Sequence, residues 1–450
     1  SPVQMPDSSS SMFSRRELLK RLTAAGVVSA LGGSSIAEAR SQRTTASAPE
    51  DYDLFFGDLH MHNNIGYAQG TLRRSFEIAR NHLDFYALTP HAYWHDMGEY
   101  ANNVEETWRN GFAITRQRWP DVVQVNREFD DPGSFVTIPA YEWHSASLGD
   151  YHILFPDLDV TQEDLVLPDS LPPLKEFVRS RGCMMIPHHP GNRKGHRGAN
   201  TDHWSPDVSP LVEIYSEWGC AEHDRAPYPY IRHTEGGRWT KNTLQYWLEQ
   251  GHRIGVLASS DDHLGYPGAY HQGLAAVWAE DLTRESIIDA LWNRRTYGVT
   301  GDRIGLNLTL NGDMMGQELE YVRERELSVD VTGWDQIDRV EVLKNNRVIH
   351  RDFPMDRQPT RESWDEPVLV RFEYGWGPWP VLGIGGTADW DIRLSVDSGS
   401  IDAVHPCFTS GPLEEDRRDR IISHTEREVR VQSHTALKQQ FESHSQKAVV

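Results

Sequence analysis

The sequence predicts an α/β body over residues 52–304, a parallel sheet with crossover helices closed into a barrel. A small antiparallel β-sandwich follows over 305–410. Three observations carry this reading. Short apolar runs alternate with helical patterns through the first part. Histidines and carboxylates collect at the ends of those runs. Beyond residue 304 the texture changes to strand-like runs separated by turn residues.

Taken in order, residues 1–39 read as an export signal. Arg15-Arg16 and Lys20-Arg21 supply the positive region, Leu22 to Ile36 the apolar stretch, and Ala37-Glu38-Ala39 the small-x-small cleavage pattern. Ser-Arg-Arg-x-Leu-Leu-Lys resembles the twin-arginine motif, with Met12 a candidate start, so a periplasmic or secreted location is expected. Residues 40–51 are a small, polar linker. Strand-like runs then fall at 53–60, 84–91, 134–142, 151–155, 183–189, 211–215 and 253–262. Between them lie "TLRRSFEIARNHL", "VEETWRNGFAITRQRW", "LPPLKEFVRSRG", "NTLQYWLEQGH" and "TRESIIDALWNRRTYG", each with helical periodicity. In the sandwich, Asn345-Asn346 reads as a hairpin tip. Residues 411–450 read as a charged, weakly patterned tail whose ending "SQKAVV" looks like a strand beginning, so the C-terminus reads as incomplete.

Bulk properties narrow the function. A chain of 450 residues exceeds one ordinary core. The formal charge of −21 argues against nucleic acid and anionic membranes as partners. No apolar run reaches membrane-spanning length. The three cysteines, Cys183, Cys220 and Cys407, lack paired metal-ligand spacing and read as buried thiols.

The histidines decide the chemistry. Active sites of parallel α/β barrels gather at the C-terminal ends of the strands. Reading each run toward its end gives His60 and His62, His91, Glu142, His189, and Asp261 with His263, with His152 near the start of its own run. Asp261 and His263, two apart, can point the same way, while Asp262 points elsewhere. Imidazole and carboxylate donors without thiolates suit zinc, manganese or iron. Arg193, Lys194, His196 and Arg197 form a basic loop that would attract a phosphate, sulfate or carboxylate. The alternative for that loop is a solvated segment balancing nearby acids. Tyr93-Trp94, Tyr141-Trp143 and Tyr215-Trp218 either stack on a substrate ring or pack the core.

The motifs "GDLHMH", "TPH" at 89–91, "YEWH" with "YHILF", "IPHHPGN" and "SSDDH" occur in the order of the polymerase and histidinol phosphatase (PHP) superfamily. The chain resembles that superfamily, above all an exported branch with an appended β-domain, over residues 52–305, with "ALWNRRTYGVTGDRI" closing the match. The resemblance implies a distorted (β/α)7 barrel that holds two or three divalent ions and hydrolyses a phosphoester with a metal-activated water. It implies His60, His62, His91, Glu142, His152, His189, Asp261 and His263 as ligands, with Glu142 bridging two ions. Pro190-Gly191-Asn192 favours His189 over His188. Two aspartates of the pattern are absent, one replaced by Pro90 and one missing from "HNNIGYAQG", and both bear on the third ion. Asp262, His188 and Glu217 are the candidates for moving protons, with His223 a further supporting group. The expected partner is an anionic small molecule or glycan. Hydrolysis of an amide, ester, lactone or glycan-linked substrate is the alternative, and a non-catalytic metal- or glycan-binding module is another.

Overall fold

Pro90 and Pro139 each separate two short strands, and this repeated break organises the α/β body. The computed structural model describes residues 51–99, 103–228, 230, 238–333, 336–357, 370–375, 387–404, 406–408, 419–436 and 447–449. The expected signal over 1–39, and the linker up to residue 50, lie outside the described residues.

The body begins with β1 (Asp53–Asp58), α1 (Leu72–His82), β2 (Phe85–Tyr86), β3 (His91–Trp94), α2 (Val104–Phe129), β4 (Val136–Thr137), β5 (Ala140–His144) and β6 (Asp150–Leu154). It continues with α3 (Leu171–Arg181), β7 (Met184–His188), β8 (Leu211–Ser216), β9 (Gly219–Cys220), α4 (Leu244–Glu249), β10 (Gly255–Ala258), β11 (Leu274–Ala279), α5 (Arg284–Trp292) and β12 (Thr296–Val299).

The helices follow their apolar spacing. Leu72, Phe76 and Ala79 form the buried stripe of α1. α3 opens with prolines in its first turn and closes on Gly182, whose φ of 72° is left-handed. The Thr283 hydroxyl caps α5 by accepting from Ser286 N at 3.3 Å. The expected end of α2 at Trp119 is corrected. Its buried stripe continues through Val122, Val123 and Phe129 despite Pro120. The Arg116 carbonyl, four residues before that proline, accepts from Gln162 Nε2 at 3.4 Å.

The expected closed parallel barrel is also corrected. Among the described residues the body's strands form three mixed sheets, ordered β12-β11-β1-β2-β4, β3-β5-β6-β7 and β10-β8-β9. β1–β2, β2–β4, β3–β5 and β8–β10 are parallel. β1–β11, β11–β12, β5–β6 and β6–β7 are antiparallel. The link from β5 to β6 spans only residues 145–149, too short for a crossover helix. Pro90 and Pro139 pass the chain from the first sheet to the second. The sheets nonetheless enclose one apolar core, to which Phe85, Val136, Ala140, Leu154, Ile186, Leu211, Leu257 and Val277 contribute. β1 lies close to β2 because Gly57 has no side chain, since a Cβ there would sit 2.2 Å from the Phe85 ring.

Beyond 304 the chain continues as β13 (Gly305–Leu310), β14 (Asp313–Met314), β15 (Leu327–Thr332), β16 (Val340–Lys344), β17 (Arg347–Asp352), β18 (Phe372–Tyr374) and β19 (Thr387–Ser395). β20 (Pro406–Cys407), β21 (Arg420–His424), β22 (Glu428–Ala436) and β23 (Lys447–Val449) complete it. These strands form four small antiparallel sheets rather than a two-sheet sandwich, among the described residues. Asn345 and Asn346 have φ of 51° and 60° at the β16–β17 tip, the left-handed pair a tight hairpin needs. The expected tail from 411 is corrected as well, because β22 pairs along its whole length with β19 and also with β21. The alternation of buried Val429, Val431, Ser433 and Thr435 was masked by its polar members.

Candidate metal centre

Along four strands of the body the inward face changes character. Ala140, Glu142 and His144 share one face of β5. Leu154, His152 and Asp150 share one face of β6. Met184, Ile186 and His188 do so on β7, and Leu211 with Glu213 on β8. Register aligns the change. Ala140 faces Leu154 and Leu154 faces Met184 at the apolar end, while Glu142 faces His152 and Asp150 faces His188 at the ionisable end. His91 on β3 pairs opposite Glu142.

The loops after β1 and β10 bring the remaining groups. Asp58 clips them together, with Oδ1 accepting from Ser260 N at 3.0 Å and Oδ2 from Gly268 N at 2.9 Å. His62 N donates to the Asp262 carbonyl at 2.9 Å and Asp261 N to the His60 carbonyl at 2.8 Å. Burial pushes the Asp58 carboxyl up to about 7 despite these donors.

The side chains converge. His60 Nε2 lies 3.4 Å from Asp261 Oδ1 and 3.8 Å from Glu142 Oε1. His62 Nε2 lies 3.0 Å from Asp261 Oδ1 and 3.6 Å from Glu142 Oε2. His91 Nε2 is 3.6 Å and His144 Nε2 3.1 Å from Glu142 Oε2, and His188 Nε2 is 2.5 Å from Glu142 Oε1. All are at most 2% exposed. His189 Nε2 reaches Asp261 Oδ2 at 3.7 Å, and His263 Nδ1 reaches Asp261 Oδ1 at 3.7 Å. His152 stands behind His60, its Nε2 3.4 Å from Glu213 Oε2. His189, Arg197 and Asp261 hold φ of 51°, 64° and 51°, left-handed conformations costing about 1–3 kcal/mol each. Such strain persists only where the surroundings enforce it.

The charges divide unevenly. Burial opposes protonation of His60, but Asp261, Glu213 and Glu142 push it up to about 10. Against the same burial, Glu142 and Asp150 raise His144 to about 9. Burial and neighbouring imidazoles push His62 well down and take His152 to about 4. Burial likewise drives His91 well below the usual range. Burial works against Glu142, yet His144 and His188 hold it well below the carboxylate range. Neutral His62, His91 and His152 therefore keep a lone pair for a cation.

The donor set fits divalent metal. The donor atoms of His60, His62 and Glu142, of His60, His188 and Asp261, and of His62, His91 and His263 each lie within 4.8 Å of one another. Two donors about 2.0–2.2 Å from one tetrahedral ion are themselves roughly 3.3–3.6 Å apart, and the separations here bracket that spacing, from 2.5 to 3.8 Å. Nδ1 of His62, His91, His152 and His188 is buried without a hydrogen bond.

Other expected residues are placed differently. On β7 the inward parity falls to His188, which meets Glu142, while the expected ligand His189 lies against Asp261. Asp262 accepts from Leu264 N, Tyr266 N and Gln272 Nε2 at 2.8, 2.9 and 3.0 Å, holding its own loop. Glu217 Oε1 lies 3.3 Å from His263 Nδ1. The basic loop does not converge on one spot. Lys194 pairs with Asp202, Arg193 stacks on Trp239 at 5.2 Å, and His196 N donates to the Arg193 carbonyl. Arg197 is buried against Asp150, Nε to Oδ2 at 2.7 Å, with its guanidinium 4.8 Å from the Trp94 ring. Tyr141 and Trp143 belong to the core, and Cys183 and Cys220 are buried free thiols. The Cys407 side chain lies outside the described residues.

Sequence reasoning missed His144, Asp150 and Glu213. Parity from Glu142 gives His144, and parity from His152 gives Asp150. Glu213, a carboxylate inside the apolar run "LVEIY", signals a buried partner. It accepts from His60 Nδ1 at 3.0 Å, so when a cation displaces the second ring proton the His60 lone pair would sit on Nε2, facing Asp261 and Glu142.

Residues 267–324 match a family described as protein of unknown function (DUF3604). An uncharacterised protein of Chlamydia trachomatis is 30% identical over 192 residues, covering 39% of this chain and 30% of that protein. One of Chlamydia pneumoniae is 25% identical over 274 residues, covering 57% and 43%. Among solved structures, a two-domain protein of Bacteroides vulgatus containing a predicted PHP-like metal-dependent phosphoesterase is 18% identical, covers 56% of this chain and 66% of that one, and has a TM-score of 0.35. The lesion-specific endonuclease EndoQ of Pyrococcus furiosus is 14% identical, covers 53% and 56%, and also has a TM-score of 0.35. The chain spans 30–43% of the length of these two chlamydial relatives.

Proposed function

We propose that the protein is a metal-dependent hydrolase of the PHP type, acting on an anionic phosphoester of a small molecule or glycan. The observation that carries this is the meeting of His60, His62, Glu142, His188 and Asp261, from four separate segments, in one buried cluster. Two or more divalent ions bound there would make a water nucleophilic near neutral pH and draw charge from the attacked centre. The chain's own residues prepare for that. Glu142 lies between His188 on one oxygen and His144, His62 and His91 on the other, so it would be the carboxylate to hold two ions. Glu213 fixes the His60 ring, and Asp150 neutralises the buried Arg197. The motif order shared with the PHP superfamily supports phosphorus as the attacked atom.

Elemental analysis of the purified protein tests the metal, with occupancy falling in Asp261→Ala. A substrate panel then tests the bond, with phosphomonoesters and phosphodiesters (single-stranded and duplex DNA included) beside carboxylic esters, amides, lactones and glycosides. Turnover confined to the last four would move the reaction to carbon. A metal-loaded protein inert to the whole panel would leave a binding module. The Arg15-Arg16 segment supports export to the periplasm or beyond. Changing both arginines to lysine should stop secretion, and unchanged secretion would overturn that assignment.

A further inference from the structure

We propose that the β-region is part of the support of the metal centre, Glu373 on β18 acting through Tyr270 and Gln272 to position His263. The proposal rests on the metal-centre reading above.

The segment concerned runs from Asp261 to Gly273. One end carries the candidate ligands Asp261 and His263. Near the other, Tyr270 OH donates to Glu373 Oε1 at 3.0 Å and Tyr270 N to the Phe408 carbonyl at 3.2 Å, both across to the β-region. Arg371 lies over the Tyr270 ring at 5.8 Å and is anchored on both oxygens of Asp302, at 2.9 and 2.8 Å. The chain then turns at His271, whose φ is 64° and whose carbonyl accepts from Tyr215 OH at 2.7 Å. This turn sends Gln272 back toward the ligands. Gln272 N donates to the Ala269 carbonyl at 3.1 Å, and its Nε2 bridges Asp262 Oδ2 at 3.0 Å and Glu217 Oε2 at 3.3 Å. The other oxygen of Glu217 meets His263 Nδ1 at 3.3 Å, and that nitrogen also faces the Asp261 carbonyl at 2.8 Å. Both contacts call for N–H on Nδ1, which leaves the lone pair on Nε2. A route of hydrogen bonds and backbone, ending in the Glu217–His263 ion-pair contact, thus runs from a strand of the β-region to the tautomer and orientation of a candidate ligand. Glu373 and Tyr270 are positioning residues, since neither touches the ions.

The test uses the full chain, zinc alone as probe, and two readouts: zinc affinity by chelator competition and hydrogen exchange of residues 261–273. Gln272→Leu and Glu373→Ala should each weaken zinc binding about 3- to 30-fold and speed exchange in that segment. Glu373→Gln keeps an oxygen acceptor for Tyr270 and should stay within about twofold of wild type, by the same scale. Wild-type affinity and exchange in both Gln272→Leu and Glu373→Ala would overturn the proposal. A loss in Glu373→Gln as large as in Glu373→Ala would overturn the role of Glu373 as acceptor. Absence of zinc binding by the wild-type protein would instead sink the metal-centre reading, and exchange at 261–273 would decide the coupling alone.

Discussion

The α/β body and the β-region bury their residues in different ways. In the body Trp119, Trp143, Trp247 and Phe85 are fully enclosed, and so are Glu142 and Asp261 to within 2%. In the β-region the core cluster is Tyr374, Val429 and Val431 with partly buried neighbours, while Tyr321, Val370 and Ile349 remain 80, 70 and 60% exposed, among the described residues. A deep core fixes backbone closely enough to hold like charges and unpaired imidazoles together. A shallow one cannot impose that, and the clustered donors lie in the body.

Substitutions can break or sharpen this contrast. The largest effect is expected from Glu142→Gln, which removes the carboxylate shared by five imidazoles. Metal affinity should fall more than about 100-fold, beyond the loss typical of an outer partner, as read by metal content after dialysis. Next in size, Glu213→Gln should weaken metal about 10- to 100-fold without removing a ligand from Glu142 or Asp261, checked by competition titration. In stability, Trp119→Ala should cost about 3–5 kcal/mol in urea unfolding followed by a body-specific probe. Val431→Ala in the β-region should cost only about 1.5 kcal/mol, two methylenes' worth. Smallest of all, Asn345→Ala at the left-handed hairpin tip should cost about 1 kcal/mol. Acid sharpens the comparison too. Binding needs neutral imidazoles, so lowering pH through the histidine range should release metal, while the metal-independent β-region keeps its far-UV signal.

The helices were legible because an apolar stripe of period 3.6 announces itself, as in α1 and α5. The strands were harder. The runs 84–91 and 134–142 each read as one strand, yet Pro90 and Pro139 cut them into pieces belonging to different sheets. Runs alone do not show direction, so the β5–β6–β7 meander passed as parallel. Most of the site was visible as ionisable groups at run ends. The rest, His144, Asp150 and Glu213, needed parity, because a side chain's facing depends on its count from a neighbour and not on its type.

The clip made by Asp58 has one more implication. It joins Ser260 across a sequence separation of 202 residues, and the donors around it span His60 to His263. The donor groups of His60, His188 and Asp261, and of His62, His91 and His263, are therefore complete only once the two halves of the body have met. If these groups hold metal as proposed, loading would be completed late in maturation, after the distant halves have met.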